Sequence, residues 1–402
     1  MKSKIAIIDG DEDSLQLAKK ALTQAGYSVN LYPEPAEVLS RLRDWQPDLI
    51  FLELVLPGIT GFSLLKELKS QESLKKAKVF IFSAKNYASD RKLTCELGAD
   101  GFFEKPFTEE QLLEKVEQIM GGRMKIRFWG TRGSIPSPGE STVKYGGNTP
   151  CVEVRLSNEE LLVFDAGTGI RELGNFLLNK RNNWQGHIFL SHPHWDHIQG
   201  LPFFRPAYIP GNEFIILGAA HPQVSLEKII ADQMETIYFP INVHYFSADV
   251  SFKSLGEGSY KIGGAQIDTM FISHPGLALS YKVTWGNSSM VYMTDNELGM
   301  ANGGNLRKRI VEFVSQANVL IHDAQYDDDE YKIKRGWGHS TWRQALQLAM
   351  EARVERLVLF HHDPDHDDQK IDTFLAACQQ EAKNNGASLE IIAAQEGMEI
   401  LL

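Results

Sequence analysis

Short apolar runs alternate with amphipathic stretches along the first third of the chain. Between the first two runs, an apolar residue recurs every three or four positions from Leu15 to Ala25, and Gly26 follows as a helix C-cap. Strands that alternate with helices in this way predict an α/β domain, a doubly wound parallel sheet of five strands over residues 1–122. The predicted strands are IAIID (5–9), YSVNLY (27–32), DLIFLEL (48–54), KVFIFSA (78–84) and GFFEK (101–105).

Polar side chains stand at the ends of these strands, which is where ligands bind in such sheets. They are Asp9, Asp11, Glu53, Ser83 and Lys105. Together with the segments PDLIFLELVLPGITGF, FSA and EKPF, they give this region a resemblance to the receiver domains of response regulators in two-component signalling. Receivers are phosphorylated on an aspartate after the third strand, where this chain has Glu53. They hold magnesium through an acidic pair, one member of which is replaced here by Gly10.

The resemblance therefore implies a receiver that does not accept phosphate. A glutamate misplaces the carboxylate, and the lost ligand weakens magnesium binding. We expect a docking or dimerisation module in which Lys105 can still pair with Glu53. Two alternatives stay open, namely that Glu53 permanently mimics aspartyl phosphate, or that the site still accepts a phosphoryl group.

A second domain is predicted to begin after Gly121 and Gly122, which end the last helix of the receiver-like region. The segment MKIRFWG that follows starts a new strand, so we assign residues 123–402 to this domain. Its clearest buried strand, HIFLS at residues 187–191, runs directly into the segment HPHWDH.

The segment HPHWDH contains three histidines and an aspartate within six positions. His192 and His194 can converge on one ion from an extended turn, while Asp196 and His197, at a helix start, can face a second ion. Imidazole and carboxylate ligands together suit zinc, manganese or iron. Two ions need more ligands than these, and the ends of other predicted strands offer His274, Asp295, His361 and His362.

Residues 123–402 resemble the metallo-β-lactamase fold, a four-layer αββα sandwich with a dinuclear metal site at one edge. The matching segments follow the order of that family, and the branch they favour is that of ribonuclease Z and the phosphoribosyl cyclic phosphodiesterases. They include FWGTRGSIP, NTPCVEV, FDAGTG, SHPHWDHIQGLPFF, SHPG, TDNE, IHDAQY, GHST and LVLFHH.

The resemblance implies seven protein ligands, of which one is shared. His192, His194 and His274 would hold one ion, Asp196, His197 and His361 the other, and Asp295 would bridge them. His361 is preferred to His362 because it directly follows the predicted strand LVLF, although a strand ending one residue later would reverse the choice. Zinc is the expected metal, with manganese and iron as alternatives.

Two such ions polarise a substrate oxygen and generate hydroxide near neutral pH, which suits hydrolysis of a phosphodiester, a lactone or a β-lactam. The resemblance favours the phosphodiester, because that branch carries a histidine near the scissile phosphate, where GHSTWRQALQLA has His339 at a predicted helix start. Asp323 in IHDAQY matches an acidic residue that orients this histidine, although the family usually has glutamate there. We count His339, Asp323 and Asp196 as catalytic. An exposed helix cap is the alternative for His339, and Asp165 could support a ligand or only shape a turn.

The amino-acid composition limits the classes of substrate and partner that we expect. The chain has 52 acidic and 41 basic residues, a net charge of −11, which disfavours extended nucleic acid and anionic membranes. No apolar run reaches the roughly 18 residues of a membrane span, and three scattered cysteines do not indicate disulfides, so we expect a cytoplasmic protein. The expected substrate is a small phosphodiester, cyclic ones included. Residues 201–250, rich in aromatics and proline, could wall the site, pack internally or form a dimer contact.

Other readings stay open for both domains. The second could be a lactonase-type hydrolase, a non-hydrolytic diiron, redox or ligand sensor, or a signalling adaptor with a vestigial site. The complete His-x-His-x-Asp-His pattern speaks against the diiron sensor, since such proteins usually replace a histidine there with glutamate. A homodimer, and a signalling partner bound through residues 1–122, also remain open. Elemental analysis would separate a hydrolase with two zinc or manganese ions from a diiron sensor and from an adaptor without metal.

Overall fold

The computed structural model describes residues 3–35, 37–75, 77–84, 87–116, 119–120, 124–180, 183–219, 223–300 and 305–402. The chain divides into two compact units, residues 1–121 and 122–402, each with its own hydrophobic core. The predicted joint at Gly121 and Gly122 lies outside the described residues. None of the helices in the described ranges has the length and apolar character needed to cross a membrane.

The described part of the first unit is a five-stranded parallel sheet with helices, so the predicted doubly wound sheet is confirmed. Its strands are β1 (Lys4–Ile8), β2 (Ser28–Tyr32), β3 (Leu49–Leu52), β4 (Lys78–Ser83) and β5 (Gly101–Glu104). Its helices are α1 (Glu12–Gln24), α2 (Val38–Trp45), α3 (Gly61–Ser70), α4 (Ala88–Glu96) and α5 (Glu109–Val116). The strand order is β2-β1-β3-β4-β5, with every pair parallel.

Burial follows the predicted pattern in this unit, with one exception. All four residues of β3 are buried, as expected for a central strand covered on both faces. On α1, Leu15 and Leu22 are buried, but the prediction for Ala25 is wrong. The helix ends at Gln24, so Ala25 is its exposed C-cap, and Gly26 follows with a left-handed φ of +92°, which glycine adopts without steric cost.

Two sheets form the centre of the second unit. The first contains β6 (Met124–Gly130), β7 (Cys151–Leu156), β8 (Leu161–Phe164), β9 (Gln185–Phe189), β10 (Glu213–Ala219), β11 (Asp249–Leu255) and β19 (Glu399–Leu401). The second contains β12 (Gly258–Ile262), β13 (Ala265–Phe271), β14 (Leu279–Trp285), β15 (Ser288–Met293), β16 (Val319–Asp323), β17 (Arg356–Phe360) and β18 (Glu390–Ala393). Their orders are β11-β10-β9-β8-β7-β6-β19 and β12 to β18 in sequence.

Helices cover both outer faces of this pair of sheets. The described helices of this unit are α6 (Gly169–Leu178), α7 (Trp195–Ile198), α8 (Leu226–Gln233), α9 (Asn305–Val314), α10 (Asp328–Lys334), α11 (Trp342–Glu351) and α12 (Asp368–Asn384). Phe164, Tyr281 and Phe360 pack between the sheets, while α6 and α8 pack on one outer face and α9, α11 and α12 on the other. The predicted αββα sandwich is confirmed.

The topology brings several strand ends to one edge of the sandwich. β8 and β9 are parallel, and β15, β16 and β17 are parallel in the other sheet. β13 runs in the direction of β15, because β14 is antiparallel to both. The predicted ligands follow β9, β13, β15 and β17 in the sequence, and they converge, so the carboxyl ends of these four strands lie close together.

Candidate metal centre

Two groups of metal-ligating side chains converge at these strand ends. Within each group, the ligand atoms that the residues offer all lie within 4.8 Å of one another. The first group is His192, His194, His274 and Asp295, and the second is Asp196, His197, Asp295 and His361. The structure thus brings all seven predicted ligands together. Asp295 belongs to both groups, as a bridging ligand would.

The local geometry after β9 explains how four of these residues come from six positions. The strand ends at Phe189, and the chain is extended at His194, where φ is −63° and ψ is 153°. Pro193 lacks an amide hydrogen and so cannot donate a helical hydrogen bond there. α7 begins directly afterwards and carries Asp196 and His197. Because the chain changes from extended to helical within this segment, its side chains can point toward two different ligand groups.

Several imidazole nitrogens of the centre lack good hydrogen-bond partners and are placed where they could bind a cation. The Nε2 atom of His192 is buried and has no hydrogen-bond partner among the described residues. Nε2 of His197 is also buried and makes no well-aligned hydrogen bond there, although it lies 3.1 Å from Oδ2 of Asp196. Nε2 of His274 lies 3.2 Å from Nδ1 of His194. A buried polar atom without a partner costs about 1–3 kcal/mol, and a cation would remove that cost. Imidazole and carboxylate donors suit divalent zinc, manganese or iron, so these residues fit the predicted ions.

Asp165 is a buried carboxylate that orients one of the ligands. Its Oδ2 atom accepts hydrogen bonds from Nδ1–H of His197 and from the hydroxyl of Tyr292, each at 2.7 Å. Its Oδ1 atom accepts one from the amide of Ser191 at 2.7 Å. Such a partner fixes the ring and directs Nε2 of His197 toward the centre. Of the two roles that the sequence left open for Asp165, the structure favours the support of a ligand.

Carboxylates set the electrostatic field of the centre. Burial by itself would lower the pKa of His197, but Asp196, Asp295 and Asp165 raise it well above its usual value. Burial would raise the pKa of Asp295, but the positive character of His361, His197 and His192 holds it well below its usual value. The carboxylates therefore stay ionised, and their field favours cations among these side chains.

His361 rather than His362 reaches the centre. Nε2 of His361 lies 3.2 Å from Oδ2 of Asp196 and 3.2 Å from Oδ1 of Asp295. β17 ends one residue earlier, and His361 has a left-handed φ of +60°, which costs a residue with a Cβ about 1–2 kcal/mol. His362 instead donates from Nε2 to the carbonyl oxygen of Ala394 at 3.0 Å.

Two further residues shape the position of His361, and sequence reasoning missed both. Nδ1–H of His361 donates to Oε1 of Gln325 at 3.2 Å. Gly133 lies so close that a Cβ there would come within 2.4 Å of Nδ1 of His361. Both belong to segments that the resemblance singles out, IHDAQY and FWGTRGSIP. Neither residue type indicates by itself a contact with a ligand.

His339 is a buried residue beside the centre, not an exposed helix cap. It is 8% exposed and precedes Thr341, which is the N-cap of α11. Its Nδ1–H donates to Oδ2 of Asp323, the last residue of β16, at 2.9 Å. Burial alone would lower the pKa of His339, but Asp323 raises it to about 9. Asp323 and His339 form a third convergent group with His361.

An open cavity gives access to the centre. Its volume is about 420 Å³, and its lining includes His339 and the side chain of Trp195, which is 80% exposed. The other lining residues are Ser134, Pro193, His194, Asp196 and Asp295. None of them falls in residues 201–250, which the sequence suggested as a wall. That region contributes Gly218, Ala219, Leu226 and Ile229 to a neighbouring apolar cavity of about 210 Å³.

The first unit carries a separate polar cluster at the ends of its strands. The carboxylate of Glu53, 7% exposed, accepts hydrogen bonds from the hydroxyl of Ser83 at 2.6 Å and from the amide of Leu54 at 2.7 Å. Its other oxygen lies 3.1 Å from Nζ of Lys105, which also pairs with Asp9. The predicted pair of Lys105 with Glu53 is therefore present, within a network in which Glu53 is held from several sides.

Comparison with known proteins agrees with both units. The response regulator receiver domain family matches residues 5–117, and the beta-lactamase superfamily domain matches residues 161–362. Ribonuclease Z of Thermoplasma acidophilum is 27% identical over 298 residues, covering 63% of this chain and 90% of that protein. The alkaline phosphatase synthesis transcriptional regulatory protein PhoP of Bacillus subtilis is 31% identical over 120 residues, covering 30% of this chain and 49% of that protein. The chain thus spans about half the length of that regulator.

A solved structure supports the fold of the second unit. The metallo-beta-lactamase fold protein YhfI from Bacillus subtilis has a TM-score of 0.50 and 18% identity, and the match covers 70% of this chain and all of that one. At this identity the likeness concerns the fold alone. The family match over residues 161–362 takes in half of the 402 residues. The chain accordingly belongs to the beta-lactamase superfamily of metal-dependent hydrolases and carries a response regulator receiver domain ahead of its hydrolase domain.

Proposed function

We propose that the second unit is a phosphodiesterase that hydrolyses a small phosphodiester with two divalent ions, zinc being the expected metal. The observation that carries the proposal is the position of His339. It lines the same cavity as Asp196 and Asp295, and its Nδ1–H is fixed by Asp323. A group that can give a proton therefore stands beside the groups that would hold the ions, which suits a substrate whose leaving oxygen needs a proton.

The residues divide the chemistry as follows. When bound, the ions would polarise a phosphoryl oxygen and activate water. Because Asp323 engages Nδ1 of His339, Nε2 is the atom that can protonate the leaving oxygen. Against the effect of burial, Asp323 raises the pKa of the ring to about 9, which favours the protonated form that a general acid requires. Asp165 meanwhile keeps Nε2 of His197 directed at the centre.

Three observations support a phosphodiester of small size. The relative in Thermoplasma acidophilum is, by its name, a ribonuclease, and ribonucleases act on phosphodiester bonds. The net charge of −11 disfavours a long polyanion, and a cavity of about 420 Å³ falls in the range of small-molecule sites. We therefore place small diesters, cyclic nucleotides among them, ahead of RNA chains.

For the first unit we propose a receiver that is not phosphorylated and serves regulation, docking or dimerisation. Ser83 and Lys105 already bond the carboxylate of Glu53, so these donors are engaged without a phosphoryl group. Gly10 offers no carboxylate, and Oδ2 of Asp11 accepts a hydrogen bond from Ser14 at 2.5 Å. The replacement of one member of the acidic pair by Gly10 supports the proposal that this cluster binds magnesium weakly.

The test is a substrate screen with the full chain. Metal-free protein is reconstituted with zinc or manganese and assayed with cyclic nucleotides, p-nitrophenyl phosphodiesters, an RNA oligonucleotide, a lactone and a β-lactam. We expect hydrolysis of small diesters that is lost with a chelator, and lost together with metal in Asp295→Ala. Turnover of the lactone or β-lactam alone would overturn the phosphodiesterase proposal. Cleavage of the RNA alone would overturn the small substrate.

A further inference from the structure

Glu297 is a buried carboxylate that belongs neither to the metal groups nor to the predicted catalytic residues. It is 2% exposed and follows Asp295 by two positions. Its backbone amide donates to the carbonyl oxygen of Ser273, the residue before His274, at 2.7 Å. Glu297 is therefore tied to two of the strand ends that carry predicted ligands.

The side chain of Glu297 holds the segment that leads to His339. Its Oε1 atom accepts hydrogen bonds from the amide of Gly336 at 2.7 Å and from the hydroxyl of Tyr331 at 2.8 Å. Its Oε2 atom accepts one from the amide of Gly338 at 2.9 Å. Three donors thus converge on one buried carboxylate, where hydrogen bonds are stronger than in water.

Gly338, which Glu297 holds through its amide, also contacts the predicted metal ligand His274. Its carbonyl oxygen accepts a hydrogen bond from Nδ1–H of His274 at 3.1 Å, which leaves Nε2 of that ring for an ion. The φ of Gly338 is +94°, and a Cβ there would come within 2.1 Å of Nδ1 of His274. A continuous chain of contacts therefore runs from Glu297 through Gly338 to His274.

The residues next to Glu297 bind the same segment from its other end. The amide of Leu298 donates to Oγ of Ser340 at 3.0 Å, and the hydroxyl of Ser340 donates to the carbonyl oxygen of Asn296 at 2.5 Å. His339 lies between Gly338 and Ser340, and both of these neighbours are held. The position of His339 is thus fixed by the segment that follows the bridging aspartate.

We propose that Glu297 is a positioning residue that sets His274 and His339 together, and so couples metal binding to proton transfer. Carboxylates that orient a ligating histidine often contact the ring itself, as Asp165 contacts His197. Here the carboxylate acts through the backbone, and one side chain can therefore fix both a ligand and a proton donor. The kinetic part of this inference rests on the proposed function, whereas the metal-binding part does not.

The test compares Glu297→Gln with Glu153→Gln in the full chain. Glu153 is a matched control because it is 3% exposed and its carboxylate accepts hydrogen bonds from Trp129 and Arg155, on its own sheet. In Glu297→Gln, the remaining oxygen can serve the two donors now at Oε1. The new NH₂ group then faces the amide of Gly338, so this is the contact that is lost.

We expect Glu297→Gln to weaken zinc binding about 10- to 100-fold, measured on metal-free protein by competition with a chromophoric chelator. The same variant, loaded with zinc, should lower kcat for diesters with poor leaving groups and leave KM nearly unchanged. In a His339→Ala background the further loss of kcat should largely vanish, because the proton donor is already gone. The loss of zinc affinity should persist there, and Glu153→Gln should show neither effect.

Zinc affinity and kcat equal to those of Glu153→Gln would overturn the proposal. So would an equal loss of kcat with and without His339, because a general structural role predicts that result. If Glu297→Gln does not fold, Tyr331→Phe tests the same carboxylate, because it removes one of the three donors that hold Glu297. We expect weaker zinc binding than in Glu153→Gln, and unaltered binding would contradict the proposal. If the wild type cleaves no phosphodiester, the proposed function fails, while the zinc competition still decides whether Glu297 positions His274.

Discussion

Oδ2 of Asp323 lies 2.9 Å from Nδ1 of His339, and both side chains are buried. The same kind of pair recurs across the centre, where Oδ2 of Asp165 lies 2.7 Å from Nδ1 of His197. In each pair the carboxylate fixes which ring nitrogen carries hydrogen and where the other one points. One pair orients a proposed metal ligand and the other a proposed proton donor, so their loss should have different consequences.

Substitution of His339 should separate these roles. In His339→Ala we expect unchanged metal content and a loss of kcat of about 10²–10⁴-fold, with little change in KM. The loss should be largest for diesters whose leaving group is a ribose hydroxyl, and small for p-nitrophenyl esters, because p-nitrophenolate leaves without a proton. Steady-state kinetics on both substrate types, with metal analysis of the same preparations, provides the measurement.

Asp323→Ala should show a weaker form of the same pattern, since it removes only the support of the ring. The double variant should be little worse than His339→Ala alone. An equal loss for both leaving groups would point to charge stabilisation rather than acid catalysis. Full activity in His339→Ala would remove the residue from the mechanism and reopen the lactonase and sensor alternatives.

The pH dependence of kcat should reflect the titration of the His339 imidazole. The pKa of His339 is raised to about 9 by Asp323, against the effect of burial. A general acid must be protonated, so kcat for poor leaving groups should fall as the pH rises through that pKa. Bound dications repel the proton, so the fall should centre at or below about pH 9. An unchanged alkaline limb in His339→Ala would show that another group is titrating.

The adjacent histidines after β17 offer a matched pair for metal binding. His361 faces Asp196 and Asp295, whereas His362 bonds Ala394 and has its pKa lowered to about 3 by burial and by Arg132. His361→Ala should lose at least one of the two ions, since it removes a ligand. His362→Gln, which keeps a donor for the carbonyl, should retain both. Metal content after gel filtration decides, and the reverse pattern would assign the ligand to His362.

The receiver should stay unmodified when incubated with acetyl phosphate and magnesium. Glu53 stands at the predicted acceptor position and is already held by Ser83 and Lys105. The double variant Gly10→Asp/Glu53→Asp should gain one phosphoryl group, because a Cβ at residue 10 meets only Pro57, at 3.5 Å, an ordinary contact. Intact mass spectrometry measures both, and an acid-labile phosphate on residues 1–122 of the wild type would contradict the proposal.

The positions of the ligands at strand ends were predictable because a short stretch of sequence is enough to recognise an apolar strand and the polar residues after it. His192, His274, Asp295 and His361 each lie within a few residues of the end of an apolar run, and parallel strands bring such ends to one edge. The choice between His361 and His362 was harder, since it depends on where β17 ends, and a shift of one residue reverses the face. The structure ends the strand at Phe360 and turns His361 into the left-handed region.

The supporting residues were not predictable, because their contacts depend on tertiary structure. Tyr292 is 127 positions from Asp165, to which it donates, and no pattern along the chain links the two. His339 was expected at a helix start, but the capping box of Thr341 and Gln344 places the start of α11 beyond it. Its burial comes instead from the segments packed around it, which no local rule anticipates.

The central claim is a dinuclear metal centre, and elemental analysis of the purified full chain tests it most directly. Two overlapping ligand groups that share Asp295 predict two zinc ions per wild-type chain when zinc is supplied. Asp295→Ala should hold little or no metal, because it loses a ligand from both groups. Two iron ions would favour the diiron sensor instead. A wild-type chain that binds no divalent metal at all would contradict the account.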